Sequence, residues 1–202
     1  MPRFVLIRVH SWFDVRTLPV NLTAHRKRSS QEVDTHLESL MLIGVLSDTH
    51  NRAQRTQVAV DLLLAAGADV LVHCGDLANA RIIEICSVRP LYFVFGNHDA
   101  DVVAELRAAA ELHSATCLEW GGQFTAGGKR IAVTHGHLAD ERKILMAQQP
   151  DYLLSGHSHL AMDQMEGSTR RINPGALFRV RTASVAILDV VNDDMQLIIV
   201  PG

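Results

Sequence analysis

Five short stretches hold residue types that could do chemistry. They are Asp48-Thr49-His50 in "SDTH", Gly75-Asp76 in "CGD", Gly96-Asn97-His98-Asp99 in "FGNHD", His135-Gly136-His137 in "THGH" and Gly156-His157-Ser158-His159 in "SGHSH". Carboxylate, imidazole and carboxamide oxygen are ligands for borderline or hard divalent metals such as Mn, Fe, Zn or Ni. No cysteine takes part, which argues against a structural zinc site. The Asp-x-His and His-x-His spacings suit extended or loop backbone, where residues two apart point to the same side. The set exceeds what one metal needs and is enough for two metals sharing a carboxylate. Two metals about 3.5–4 Å apart are a recurring device for attacking phosphate esters.

Each stretch must be held by something, and each follows an apolar run. "MLIGVL" reads as a strand covered on both faces, "ADVLVHCG" as a second, "LYFVFG" as a third and "DYLLSGH" as another. Ligands bind beyond the carboxyl ends of strands in a parallel α/β sheet, so the five polar stretches are expected along one edge. Glycines before Asp76, Asn97 and His157 are expected to let the chain turn sharply out of each strand. Between the strands lie helical patterns. "AQRTQVAVDLLLAAG" has Val58, Leu62 and Ala66 at helical spacing and Gly67 as its stop. "ARIIEICS" and "DVVAELRAAAEL" read as two further helices. "EWGGQFTAGGKRIAVTHG" reads as a hairpin turning at Gly127 and Gly128, and "TASVAILDVVNDDMQLIIV" as two strands around an Asn-Asp-Asp turn. The expected fold class is α/β, with two mixed β-sheets packed face to face and flanked by helices.

The chain has 202 residues, 48% hydrophobic, with a net charge of −3. That suits one soluble domain with a sizeable core. No apolar run reaches about 18 residues, so no membrane span is expected. Mild acidity argues against a sequence-independent grip on long nucleic acid, and no basic stripe with interleaved aromatics suggests a nuclease. The three cysteines, Cys74, Cys86 and Cys117, form no CxxC and fit the reduced thiols of a cytoplasmic protein. Up to Gln31 the only acid is Asp14, against six Arg and Lys. Residues 1–40 read as an N-terminal extension: a targeting leader, a poorly ordered tail or, the favoured reading, a segment preceding a true start at Met41. Residues 41–202 read as a single domain.

Taken singly, most of these residues have bland structural readings. A lone Asp is usually a turn residue or helix cap, and a lone Asn a turn former. His73, inside "VLVHC", reads as a hydrogen-bonded core histidine. Asp99 reads either as a group orienting His98 or, the preferred reading, as the cap of the helix after it. Arg52 could contact a phosphate, as could Asn51, or simply sit on a helix surface. Arg170, Arg171, Arg179 and Arg181 read as a solvated strand face, with contact to substrate charge as the alternative. The recurrence of polar clusters at successive strand ends is what the bland readings do not explain.

The five stretches, in this order, resemble the motif blocks of the calcineurin-like metallophosphoesterases. The compact length and "NPGA" at Asn173–Ala176 resemble the small bacterial and archaeal phosphodiesterase branch, which is similar to the retromer scaffold subunit. The resemblance implies one metal held by Asp48, His50, Asp76 and His159. It implies a second held by Asp76, Asn97, His135 and His157, with Asp76 bridging and His135 preferred over His137. It further implies a metal-bridging hydroxide as nucleophile, with His98 stabilising the transition state or protonating the leaving oxygen. Asn51 and Arg52 are candidate substrate contacts. The expected cofactors are two divalent ions, Mn favoured, with Ni, Fe or Zn as alternatives. The expected substrate is a small phosphodiester in an open cleft without a cap domain. A non-catalytic protein-binding scaffold on the same fold is the competing reading, and self-association is compatible with either.

Overall fold

Residues 41–202 are described by the computed structural model, and the expectations for residues 1–40 lie outside them. Strand β1 (Leu42–Leu46) shows how one apolar run serves two cores. Side chains alternate across a strand. Ile43 and Val45 therefore join one buried cluster while Leu46 joins another on the opposite face. Helix α1 (Ala53–Ala65) follows, then β2 (Val70–His73), α2 (Ala80–Cys86) and β3 (Leu91–Phe93). A 3-10 turn over Asn97–Val102 leads into α3 (Val103–His113) and the short β4 (Thr116–Cys117). Next come β5 (Gly121–Ala126), β6 (Lys129–Thr134), α4 (Ala139–Ala147) and β7 (Tyr152–Leu154). Two antiparallel pairs finish the chain: β8 (Met162–Glu166) with β9 (Thr169–Asn173), and β10 (Ala183–Asp189) with β11 (Asp194–Val200).

These strands form two mixed sheets, as expected. A six-stranded sheet has the order β11-β10-β1-β2-β3-β4, in which β1 to β4 run parallel and β10 and β11 antiparallel. The other, five-stranded, has the order β5-β6-β7-β9-β8, with β6, β7 and β9 parallel. Between the sheets lie Ile43, Val45, Val72, Ile131, Val133, Leu154, Ile172 and Leu188. The three N-terminal helices cover the outer face of the six-stranded sheet, where Leu63, Ile82, Ile83 and Leu106 cluster with Leu46, Leu71 and Phe93. Helix α4 covers the other sheet more thinly, through Leu145 beside Ala132 and Leu153. Each fully buried Leu or Ile in these layers contributes about 1.5–3 kcal/mol.

The hairpin at Gly127 and Gly128 forms as read, with φ of 54° and 72°. The Asp189 carboxylate closes the last turn by accepting from the amides of Val191 and Asn192. Helix α1 exists, but its buried face is Thr56, Ala59, Val60 and Leu63, while Val58 is exposed. The run is apolar enough to offer several stripes, and only contact with the sheet selects one. Helix α4 and strand β8 were not expected, and β9 was read only as the strand face carrying Arg170 and Arg171. Leu145 is the sole buried residue of α4, and β8, "MDQME", is exposed along most of its length. Neither carries the periodic burial that a sequence pattern reports. Among the described residues, no helix is long and apolar enough to cross a membrane.

Gly44 marks the closest approach of β1 to the helical layer. A Cβ there would lie 2.6 Å from Leu71 Cδ2 and 3.1 Å from Leu63 Cδ1. Overpacking a dense core costs about 1–3 kcal/mol. Gly44→Val is expected to lower the unfolding free energy by that amount, seen as a lower urea midpoint with an unchanged m value. An unmoved midpoint would mean the layer yields freely.

Candidate metal centre

The loops after β1, β2, β3, β6 and β7 meet where the edges of the two sheets adjoin. Backbone bonds stitch them together: Asp48 N–H donates to Gly75 O at 3.0 Å, His50 N–H to Asp76 O at 3.0 Å, and Gly156 N–H to His135 O at 3.1 Å. The loop backbones are unusual. Asp48, His50, Asn51, Asp76, His157 and His159 all have φ between 42° and 66°. Left-handed backbone costs non-glycine residues about 1–2 kcal/mol each, and such residues cluster at functional sites.

The two central carboxylates are held alike. Asp48 Oδ2 accepts from the Ser47 hydroxyl at 2.7 Å and from His157 N–H at 3.1 Å. Its Oδ1 is buried with no hydrogen-bond partner and lies 3.1 Å from His159 Nε2. Asp76 Oδ1 accepts from His98 N–H at 2.9 Å. Its Oδ2 lies 3.3 Å from His50 Nε2 and 3.4 Å from His135 Nε2. In both cases a backbone amide anchors one oxygen, and the other points at imidazoles. Burial pushes the Asp76 pKa up, but the neighbouring His135 imidazole, the His98 amide and the His50 imidazole outweigh it. The result is a value lowered to about 2.

His135 shows what this arrangement fits. Its Nδ1 is 2.8 Å from Cys74 O, a pure acceptor, so Nδ1 carries the proton. Such a backbone contact fixes the tautomer and leaves Nε2 as a lone-pair donor. That nitrogen faces Asn97 Oδ1 at 3.2 Å and Asp76 Oδ2 at 3.4 Å, with Asp48 Oδ1 4.0 Å away. All three oxygens are acceptors. Burial opposes a charge on His135, yet the carboxylates of Asp76 and Asp48 raise its pKa above the ordinary imidazole value. A field that draws a proton there would equally draw a cation. His50 Nε2 is also buried without a hydrogen-bond partner, and burial lowers its pKa against the pull of Asp76 and Asp48. Three sets of side chains are close enough to hold a metal: Asp48 with His50 and His159, Asp48 with Asp76 and His135, and His50 with Asp76 and His98. The donor set therefore fits divalent cations.

The remaining candidates surround this cluster. The His157 ring is exposed, 5.1 Å from that of His135. His98 is exposed too, its ring edge-on to His50 at 4.9 Å; its place in one metal-capable set was not anticipated. His137 stands one step back against Trp120, with a centroid separation of 5.9 Å, and joins none of the three sets. Asn51 and Arg52 line a cavity beside the cluster. The Arg170–Arg181 patch divides: Asp163 and Asp193 neutralise Arg170 and Glu166 pairs with Arg171, whereas Arg179 faces the cavity. His73 is the core histidine expected. Its Nδ1 accepts from Gly75 N–H, so its Nε2 donates to Thr49 Oγ1 at 3.0 Å, and burial lowers its pKa to about 3.

Three supports escaped the sequence reading. Asn173, at the end of β9, donates from Nδ2 to Gly156 O at 2.8 Å and to Ser158 Oγ at 3.1 Å, bracing the His157–His159 loop. It is one more polar residue at a strand end, before a Pro-Gly turn, and that signal could have found it. The glycines act differently than expected. Gly75 has φ of 94°, but Gly96 is extended at −102°. Space is what matters at the latter, because a Cβ on Gly96 would lie 2.1 Å from Asp76 Oδ1. At Gly156 it would lie 1.9 Å from Ser47 Oγ and 2.7 Å from Asp48 Oδ2.

Asp99 is the third support; it does not cap α3 itself, but its bond from Gly96 N–H closes a capping box on the 3-10 turn that leads into α3. Its Oδ2 accepts from Asp76 N–H at 2.9 Å and Gly96 N–H at 2.7 Å, and its Oδ1 from Ala78 N–H at 2.6 Å. It fastens the Asp76 loop to the Asn97 turn. Burial pushes its pKa up against these donors. Asp99→Ala would leave three amides unpaired, each costing about 1–3 kcal/mol when buried. We expect a loss of about 2–5 kcal/mol in denaturant unfolding, against at most about 0.5 kcal/mol for exposed Asp101→Ala. Equal effects would remove Asp99 from this role.

Comparison with known proteins agrees with this geometry. The Calcineurin-like phosphoesterase superfamily domain matches residues 41–193. Phosphodiesterase YfcE of Escherichia coli strain K12 is 26% identical over 175 residues, covering 79% of this chain and 92% of that protein. Among solved structures, a novel archaeal phosphodiesterase superposes with a TM-score of 0.71 at 20% identity, covering 79% of this chain and 99% of the other. A Vps29 variant from Entamoeba histolytica shares the fold with a TM-score of 0.55 at 20% identity, covering 79% and 98%. With its motif stretches gathered at one edge of a two-sheet sandwich, the chain belongs to the calcineurin-like phosphoesterase superfamily.

Proposed function

We propose that this protein is a dinuclear metal-dependent phosphodiesterase acting on small substrates in an open cleft. The observation that carries the reading is the matched anchoring of Asp48 and Asp76, each with one oxygen on a backbone amide and the other facing imidazoles. Asp48, His50, Asp76 and His159 would hold one divalent ion, and Asp76, Asn97, His135 and His157 the other. Asp76 would serve both ions, since its Oδ2 has His50 at 3.3 Å on one side and His135 at 3.4 Å on the other. Mn is favoured, with Ni, Fe or Zn as alternatives. When bound, the ions would supply Lewis acidity that makes water a nucleophile near neutral pH and offsets charge on the phosphoryl oxygens.

The chain's own groups supply the rest. Asn97, whose carboxamide oxygen faces His135 Nε2 at 3.2 Å, would offer that oxygen to the second ion, while the His98 amide fixes Asp76. The exposed His98 imidazole is free to donate a proton to the leaving ester oxygen. Asn51 and Arg52 stand at the cavity rim as substrate contacts. The name of YfcE supports a diester preference. The Vps29 likeness is one of fold, and it favours the scaffold reading only weakly here, because the candidate ligands and His98 are all present. Three free thiols support a reducing, cytoplasmic setting.

Two experiments test this. Chelator-stripped protein should not hydrolyse bis(p-nitrophenyl) phosphate, and Mn²⁺ should restore turnover; a rate indifferent to metal sinks the proposal. His98→Ala should keep two metals per chain by elemental analysis and lose about 10²–10⁴-fold in kcat. Loss of a metal instead would make His98 a ligand, and an unchanged rate would exclude it from the reaction.

A further inference from the structure

Beside the metal ligands opens a cavity of about 820 Å³ whose lining includes Asn51, Arg52, Arg55, Val58, Phe178 and Arg179. Its charge balance sets it apart. Three guanidiniums line it, with no side-chain carboxylate; the last residue, Gly202, also lies on the wall, beside Arg55. Five arginines elsewhere pair with acids: Arg81 with Glu84, Arg107 with Glu119, Arg142 and Arg171 with Glu166, Arg170 with Asp163 and Asp193, while the side chains of Arg89 and Arg130 donate to backbone carbonyls instead. Among the described residues, Arg52, Arg55 and Arg179 have no acidic partner. Arg55 donates one N–H to Leu177 O at 3.0 Å, which points the group along the wall.

Phe178 connects this cavity to the chemistry. Its ring lies 4.7 Å from that of His50. Arg52 Cζ stands 4.6 Å from the same ring and Arg179 Cζ 5.0 Å. The ring holds two like charges near each other beside a candidate metal ligand. Exposed guanidiniums repel when they gather, and a phosphate group is the ligand whose geometry matches their forked donors.

We infer that the cavity receives one ester arm of the substrate and selects diesters whose arm carries a second phosphate group. The inference rests on the phosphodiesterase reading, since the scissile phosphate must sit at the metals. The arm's apolar part lies on Phe178 and Val58, and Arg52 and Arg179 grip its terminal phosphate, with Arg55 behind them.

The test compares two chromogenic diesters, the p-nitrophenyl ester of thymidine 5′-phosphate and the same compound phosphorylated at the 3′-oxygen. In each, water attacks phosphorus, the bond to the aryl oxygen breaks and p-nitrophenolate leaves, so the phosphorylated arm is the sole difference. Mn²⁺-loaded wild type should prefer the 3′-phosphorylated ester by about 10- to 100-fold in kcat/KM, chiefly through KM. That ratio should shrink as salt rises from 50 mM to 500 mM, roughly as Debye screening tightens. In R52A and R179A it should fall, and in the double variant approach unity. A wild type that turns over both esters equally, or a preference surviving the double substitution, overturns this inference and leaves the phosphodiesterase reading standing. Failure to hydrolyse either ester at any metal loading overturns both.

Discussion

Two carboxylates, each with one oxygen held by a backbone amide and the other turned toward imidazoles, are the constraint around which the rest is arranged. A buried Asp oxygen without a donor is costly, and evenly shared bonding would remove that cost. Here the sharing is uneven by design of the loops. The His157 amide belongs to one sheet and steers Asp48 of the other, while the His98 amide steers Asp76. Asp99 in turn holds the amide of Asp76 itself, so the orientation of one carboxylate depends on the position of another. The chain spends folding energy to keep lone pairs facing one another.

The sandwich makes this affordable. Parallel neighbours β1, β2 and β3 bring Asp48, Asp76 and Asn97 to one edge, and parallel neighbours β6 and β7 bring His135 and His157 to the facing edge. The dry layer between the sheets fixes their separation. Bonds such as His135 Nδ1 to Cys74 O at 2.8 Å cross from one sheet to the other and lock the register of the two edges. His73 adds a neutral brace beneath, tying Gly75 to Thr49. Strain in the loops is tolerated because the strands under them cannot move.

What was legible in the sequence follows from this division. Motif residues stand at the ends of apolar runs, so chain order alone suggests that they share an edge. His73 was readable because an imidazole inside "VLVHC" has nowhere to go but inward. Asp99 was misjudged because local pattern offers it the next helix, whereas its partners Asp76 and Ala78 lie 23 and 21 residues earlier. The buried stripe of α1 could not be chosen among equally apolar stripes. Strand β8 stayed hidden because an edge strand open to water has no alternation to display. The fate of the arginines near "NPG" turned on which acids fold against them: Asp163 and Glu166 are placed by a hairpin the sequence barely marks, and Asp193 by the distant turn between β10 and β11.

Gly96 and Gly156 press bare backbone against Asp76 and Asp48. The consequence is thermodynamic. A carboxylate walled in on that side keeps few rotamers to lose, so the entropic toll of ordering ligands falls on folding of the polypeptide and not on capture of an ion. Any larger residue at either glycine would push against the carboxylate beside it and return that ordering cost to the site.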